Sequence, residues 1–148
     1  MDKNYFNSRS ISCTESILKE VKRLNENGMY SKIYVSSLVS VITEEHIAKD
    51  KQTWALIGTT GKGIGPCYSD KMNRIGIRAA EFVDPELFAK KLKNNVMEKN
   101  KIFKLEGYPE FDYEEMLAEF QELAKIIKPY VTDTSYLLDE EIKKGSNV

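Results

Sequence analysis

Four stretches of this chain place apolar residues three and four positions apart, the spacing that lines one face of an α-helix. Ile17, Leu18, Val21 and Leu24 make the first stripe, opened by a capping-box pattern at Ser12-Cys-Thr-Glu15 and closed by Gly28. Leu87, Phe88, Leu92, Val96 and Phe103 make the second, which starts at Asp84-Pro85, an N-cap followed by proline at the first helical position. The third runs through Met116, Leu117, Phe120, Leu123, Ala124 and Ile127, between Asp112 with Glu115 at its start and Pro129 at its end. The last, about Asp133 to Lys144, presents Tyr136, Leu137, Leu138 and Ile142, with Gly145 as its cap. Between the first and second stripes the period changes. Residues Lys32 to Ile42 are β-branched and partly alternating, which predicts a strand, and a short helix over Glu44–Asp50 follows. Residues 1–11 are polar, with few apolar anchors, and are expected to be loose. These elements predict a helix-dominated α/β piece with five or six helices and one or two strands.

The segment that no period explains is Ile57-Gly-Thr-Thr-Gly-Lys-Gly-Ile-Gly-Pro66. So many glycines in so short a run imply a backbone bent through positive φ or held close to something. Thr59, Thr60 and Lys62 sit inside the bend, and a helix opening near Pro66 would carry Lys71, Arg74 and Arg78 on one face. Hydroxyls, backbone N–H groups and a helix N-terminus near cations suit an anion such as a phosphate. The loop is neither of the two standard nucleotide loops: Ile64 stands where a Walker lysine belongs, and Gly61-Lys-Gly63-Ile-Gly65 has the wrong last spacing for a dinucleotide fingerprint. On spacing alone, a surface turn and an anion site are equal readings. The basic positions likewise read as a solvated stripe or as phosphate contacts.

Composition narrows the classes. The chain has 148 residues, 41% of them hydrophobic, enough for one core, and a net charge of −1 that gives no field drawing it to nucleic acid or an acidic membrane. No run approaches the ~18 apolar residues of a membrane span. Two cysteines, Cys13 and Cys67, and no signal-like opening suggest free thiols in a reducing, cytoplasmic compartment. With one histidine, His46, a zinc site is not expected. His46 reads as a structural or solvated residue, Cys67 as a small packing residue, and Trp54 with the tyrosines as core or interface.

Gly63-Ile-Gly-Pro-Cys-Tyr-Ser-Asp-Lys71-Met-Asn-Arg74, preceded by Ile57-Gly-Thr-Thr-Gly-Lys62, closely resembles the central motif of the adenylosuccinate synthase family, Gly-Ile-Gly-Pro-x-Tyr-x-x-Lys-x-x-Arg, at every fixed position. Gly76-Ile-Arg78, Asp84-Pro-Glu-Leu-Phe-Ala-Lys-Lys-Leu92 and Tyr130-Val-Thr-Asp-Thr-Ser-Tyr-Leu-Leu138 look like later segments of the family. The resemblance implies a ligase that joins IMP and L-aspartate, with GTP as co-substrate and Mg2+ as cofactor, through a 6-phosphoryl-IMP intermediate on the route to AMP. Carried over by motif, Thr60 would bind the IMP 5′-phosphate, and Arg74 would reach that phosphate from the partner subunit of a homodimer. Lys71 would be an active-site, catalytic lysine. Thr59 and Lys62 would support the site, and Arg78 would help to hold the dimer.

The departures matter as much. The family strand usually reads Ser-Asp-Arg-Ala-His, followed by Pro-Tyr-His; here Ser36-Ser-Leu-Val-Ser40 and Glu44-Glu-His46 stand instead. The family's Gly-Asp-Glu-Gly-Lys-Gly-Lys loop, its catalytic histidine and its Gly-Ala-Gln-Gly segment have no counterpart in these residues. The resemblance therefore implies the central third of a synthase, with residues 12–148 as a helical, dimerising portion, and the GTP and magnesium ligands outside it. The ending, Lys144-Gly-Ser-Asn-Val148, resembles the start of a helix-to-strand connection and also suggests a larger whole. The isolated chain is expected to be inactive and to expose an apolar face. The alternatives are a non-catalytic module that dimerises or binds the IMP phosphate, and a piece of a phage-type synthase acting on a guanine nucleotide.

Overall fold

In a computed structural model, residues 4–6, 11–12, 14–28 and 33–146 are described, the side chains from residue 19 onward except those of 54–56. Cys13, the side chains of Ile17, Leu18 and Trp54, and the terminal Val148 lie outside the described residues. The described chain forms a small parallel sheet embedded in helices, so the helix-dominated α/β expectation holds.

The sheet is more fragmented than the sequence pattern suggested. The run from Lys32 to Ile42 splits into β3 (Ile33–Ser36) and β4 (Ser40–Val41). The cause is local chemistry: the Ser36 hydroxyl accepts the Leu38 N–H at 3.3 Å, and the Val39 N–H turns back to the Ser36 carbonyl at 3.1 Å. Serine hydroxyls offer the backbone this alternative to a ladder. Each half then finds its own partners. β3 lies between β1 (Asn4–Phe6) and β5 (Val131–Thr132), all parallel, while β4 pairs with β2 (Ile11–Ser12). Segment 1–11, expected to be loose, thus contributes strand residues: the backbone groups of β3 need partners on both sides, and Asn4–Phe6 supplies one side.

Helix boundaries follow the cap residues closely. α1 (Thr14–Glu26) starts directly after Ser12 and Cys13, and Gly28 follows it at φ 72°. α2 (Glu44–Ile57) runs seven residues past the expected end at Asp50. α3 (Ile64–Met72) begins two residues before Pro66, and the short α4 (Ala79–Phe82) leads into α5 (Pro85–Leu105). Asp84 caps α5 by accepting the N–H groups of Glu86 and Leu87. Asp112 caps α6 (Tyr113–Ile127) through Glu115, and Asp133 caps α7 (Thr134–Lys143) through Ser135 and Tyr136. Pro129 ends α6 in a 3-10 turn over Lys128–Tyr130.

The core sits between α5 and α6. Phe82, Phe88 and Phe120 meet edge to face, the closest pair at 4.9 Å between ring centroids, and Leu92, Val96, Met116 and Ala124 fill the layer around them. Such aromatic pairs add roughly 0.5–1.5 kcal/mol beyond the area they bury. A second cluster, Val35, Val39, Ala79 and Ile127, fastens the sheet to the helices. Three expected core positions turn outward: Leu87 on α5 and Tyr136 and Ile142 on α7 are exposed, and α7 packs through half-buried Leu137 and Leu138. Ile57, Ile102 and Leu105 are exposed as well, at 72%, 50% and 88%.

Candidate phosphate-binding site

The glycine-rich turn is held by α2. The Asp50 carboxylate accepts the Gly63 N–H at 2.8 Å, and its carbonyl accepts the Thr59 hydroxyl at 3.3 Å. Thr59 Oγ1 in turn accepts the Gly61 N–H at 3.3 Å. Gly58, Gly61 and Gly63 all have positive φ, which only glycine adopts at little cost. Gly63 is the N-cap of α3 and brings no capping side chain, and the carboxylate of Asp50 accepts the N–H of that N-cap residue. Thr60 and Lys62 stand exposed on the loop, and Thr59 is half-buried.

The far end of α3 is basic, and here the structure corrects the helical-face reading. α3 stops at Met72. Asn73 is its cap and Arg74 follows at φ 62°, the left-handed turn in which the Ile75 and Gly76 N–H groups both return to the Asp70 carbonyl at 3.0 Å. Glycine usually fills that position, and an arginine there carries backbone strain of about 1 kcal/mol or more. Arg78 is not on α3 at all. It forms an antiparallel bridge with Ser40, flanked by bonds from Val41 N to the Ile77 carbonyl and from Ala79 N to the Val39 carbonyl, both at 2.9 Å. The split strand thus builds the wall on which Arg78 sits.

The result still unites three of the expected residues. Lys71, Arg74 and Arg78 line one depression of about 420 Å³ together with Ser40, Gly76, Glu81 and Lys91. Glu81, the one acid there, is already satisfied: Lys91 donates to it at 2.6 Å, and the Arg78 N–H donates to it at 2.8 Å. Among the described residues neither guanidinium has an ion-pair partner, and Lys71 rests over the Tyr68 ring at 5.7 Å. Three cations in excess, two of them forked donors, favour a phosphate or carboxylate. What does not happen is convergence with the loop: Thr59, Thr60 and Lys62 lie before the N-terminus of α3, whereas Lys71 lies in its last turn and Arg74 and Arg78 lie beyond its C-terminus. A nine-residue helix separates them, a length of about 13 Å.

Behind the loop lies a buried polar cluster that the motif did not flag. The Thr43 N–H donates to His46 Nδ1 at 3.0 Å, which leaves Nε2 to donate to Asp70 Oδ2 at 2.9 Å. Lys99 of α5 also contacts Asp70 Oδ2 and lies 3.6 Å from Glu45, whose side chain is 0% exposed. Of the two readings of His46, structural or solvated, its burial and its bonds at both ring nitrogens fit the first. Cys67 is fully packed, and burial together with the Asp70 charge pushes its thiol up to about 12, so it stays protonated at neutral pH. The available signal for this cluster was His46, a polar residue on a helix face that turns inward. Glu45, Asp70 and Lys99 carried no such mark.

Burial alone would raise the Asp70 carboxyl, but the bonds from His46 and Lys99 and the charge of Lys99 outweigh it, so the group lies below its ordinary 3.8. A carboxyl depressed by folding contributes stability at pH values above its unfolded pKa and loses it as pH falls through the folded value. Urea midpoints should therefore drop as pH falls below the ordinary carboxyl value of 3.8, and Asp70→Asn should flatten that drop. An unchanged profile in the variant would remove Asp70 from the account.

Residues 4–148 match the family model for adenylosuccinate synthetase. The chain belongs to the adenylosuccinate synthetase family. It is 41% identical over 140 residues to the adenylosuccinate synthetase of Leuconostoc mesenteroides, covering 90% of this chain and 33% of that protein. The figures for the Thermoanaerobacter pseudethanolicus synthetase are the same. The chain thus spans about one third of the length of the curated synthetases it matches. Its fold is that of the corresponding part of the fully ligated Plasmodium falciparum synthetase, with a TM-score of 0.84 at 21% identity, over 97% of this chain and 34% of that one. Among the described residues, no helix is long and apolar enough to cross a membrane, and no cluster of three His, Cys, Asp or Glu residues is placed to hold a metal.

Proposed function

We propose that this chain is the nucleotide-phosphate and dimer-contact element of an adenylosuccinate synthetase, a GDP-forming ligase that joins IMP and L-aspartate in purine biosynthesis. Thr60 binds the IMP 5′-phosphate of one subunit, with Thr59 and Lys62 beside it. Arg74 contributes to the same phosphate from the partner subunit, Lys71 serves as the active-site lysine, and Arg78 supports the contact. GTP and Mg2+ belong to the whole enzyme, which works in the cytoplasm, and the resemblance assigns their ligands to residues outside this stretch. Phosphoryl transfer relies mainly on positioning and charge stabilisation, so a cation supplied by a second subunit makes the site depend on assembly.

The observation that supports this reading is the separation along α3. Thr60 and Arg74 lie beyond opposite ends of one helix, so a phosphate that uses both draws them from two copies. Thr60→Ala and Arg74→Ala should each weaken IMP binding roughly ten- to hundredfold by calorimetry, as expected when a charge-assisted phosphate contact is lost. Mixing the two variants should restore part of the wild-type capacity, because a mixed dimer contains one site with both residues intact. A mixture as silent as its components would refute sharing between subunits. The chain alone, given IMP, aspartate, GTP and magnesium, should form no adenylosuccinate, and clear turnover would refute its being only an element of the enzyme.

A further inference from the structure

The family motif begins at the glycines and says nothing of what holds them. Asp50 is 2% exposed, lies on α2 and touches the loop on both sides of Thr60. Upstream, its carbonyl accepts the Thr59 hydroxyl; downstream, its carboxylate accepts the Gly63 N–H. Thr59 then closes the bend internally through the Gly61 N–H. Thr60 is thus the exposed tip of a loop whose two flanks are tied to one residue. The carboxylate also stands at the N-terminus of α3, where the partial positive charge of a helix would otherwise attract an anion. The carboxylate charge offsets that attraction, and Thr60 remains the exposed face of the loop.

We infer that Asp50 is a positioning residue for phosphate binding: it fixes the presentation of Thr60 by clamping the Gly63 amide. This rests on the reading of Thr60 as the phosphate ligand, whereas the clamp itself does not depend on it. Two variants separate the roles of the carboxylate. Asp50→Asn keeps an oxygen that can accept the Gly63 N–H but removes the charge; Asp50→Ala removes both.

Amide hydrogen exchange on the full chain tests the clamp without any ligand. In Asp50→Ala, protection of the Gly63 amide should fall roughly tenfold or more, with the amides of Val96 and Phe120 in the core unchanged. Asp50→Asn should restore it. IMP titration reads the consequence: affinity should fall at least about tenfold in Asp50→Ala and return to within a few-fold of wild type in Asp50→Asn. Unchanged Gly63 protection in Asp50→Ala would overturn the clamp, as would Asp50→Asn behaving like Asp50→Ala, since charge and not hydrogen bonding would then be at work. Lost protection with unaltered IMP affinity would overturn the positioning role. A wild-type chain that binds no IMP, with Gly63 deprotected as expected, would overturn the Thr60 reading and this role with it, leaving the clamp as a structural feature.

Discussion

Lys99→Met should destabilise this protein by about 3–5 kcal/mol, the penalty typical of removing one partner from a buried ion pair. Lys99 Nζ is the charge that Glu45 and Asp70 share, reaching from α5 to α2 and α3 at once. Asp70 keeps its bond from His46 if the lysine is lost. Glu45 keeps nothing, because among the described residues neither of its oxygens has a hydrogen-bond partner. Methionine retains much of the apolar stem, so the loss reports charge more than packing. The urea midpoint should fall with an unchanged slope. Glu45→Met made with Lys99→Met should recover part of the loss, since a buried pair replaced by apolar residues is often neutral. A single-variant loss below about 1 kcal/mol would show that Lys99 is not what holds the Glu45 side chain in place.

Gly63→Ala should cost about 2–5 kcal/mol and disorder the loop. Two terms add. An L-residue at φ 78° pays roughly 1–2 kcal/mol for a left-handed backbone. The new methyl would also stand 2.9 Å from the Ile47 N and 3.0 Å from His46 Cβ, inside the helix that carries the clamp, and overpacking of that kind costs about 1–3 kcal/mol. Gly58→Ala is the matched control: its φ is 67°, yet nothing lies within 4 Å of the added carbon. Thermal or urea melts should rank Gly63→Ala well below Gly58→Ala. Equal losses would mean that strain alone operates and that α2 yields to the methyl.

The helices were legible in the sequence wherever a boundary is itself a chemical group. Asp84 was expected as a cap and Asp112 and Asp133 as helix starts, and each accepts backbone N–H from the following turn. The family was legible because its motif fixes residue types at fixed spacing. Less legible was any feature decided by distant partners. The break at Ser37 depends in part on the Thr132 carbonyl, which accepts the Ser37 N–H at 2.8 Å from the far end of the chain. Arg74 shows a different limit: the helical period predicts that α3 continues through it, and nothing in an arginine signals a left-handed turn. The one-face stripe was therefore misread even though its three cations do share a depression. Asp50 was missed because the motif draws attention to the loop and not to the helix before it.

The order of strands has a consequence for how the chain assembles as it is made. β1 and β3, paired Tyr5 against Tyr34, are both made before β5, and the other edge of β3 meets β5 only through Val35 with Val131 and Ser36 with Thr132. Everything from α2 to α6 is synthesised in between. Until residue 132 leaves the ribosome, β3 has a bare edge, open to a strand from another nascent chain, while the helical layer beside it can already pack. The two-residue β5 is thus the latch of the sheet, and its late arrival sets a window for mispairing that the finished fold no longer reveals.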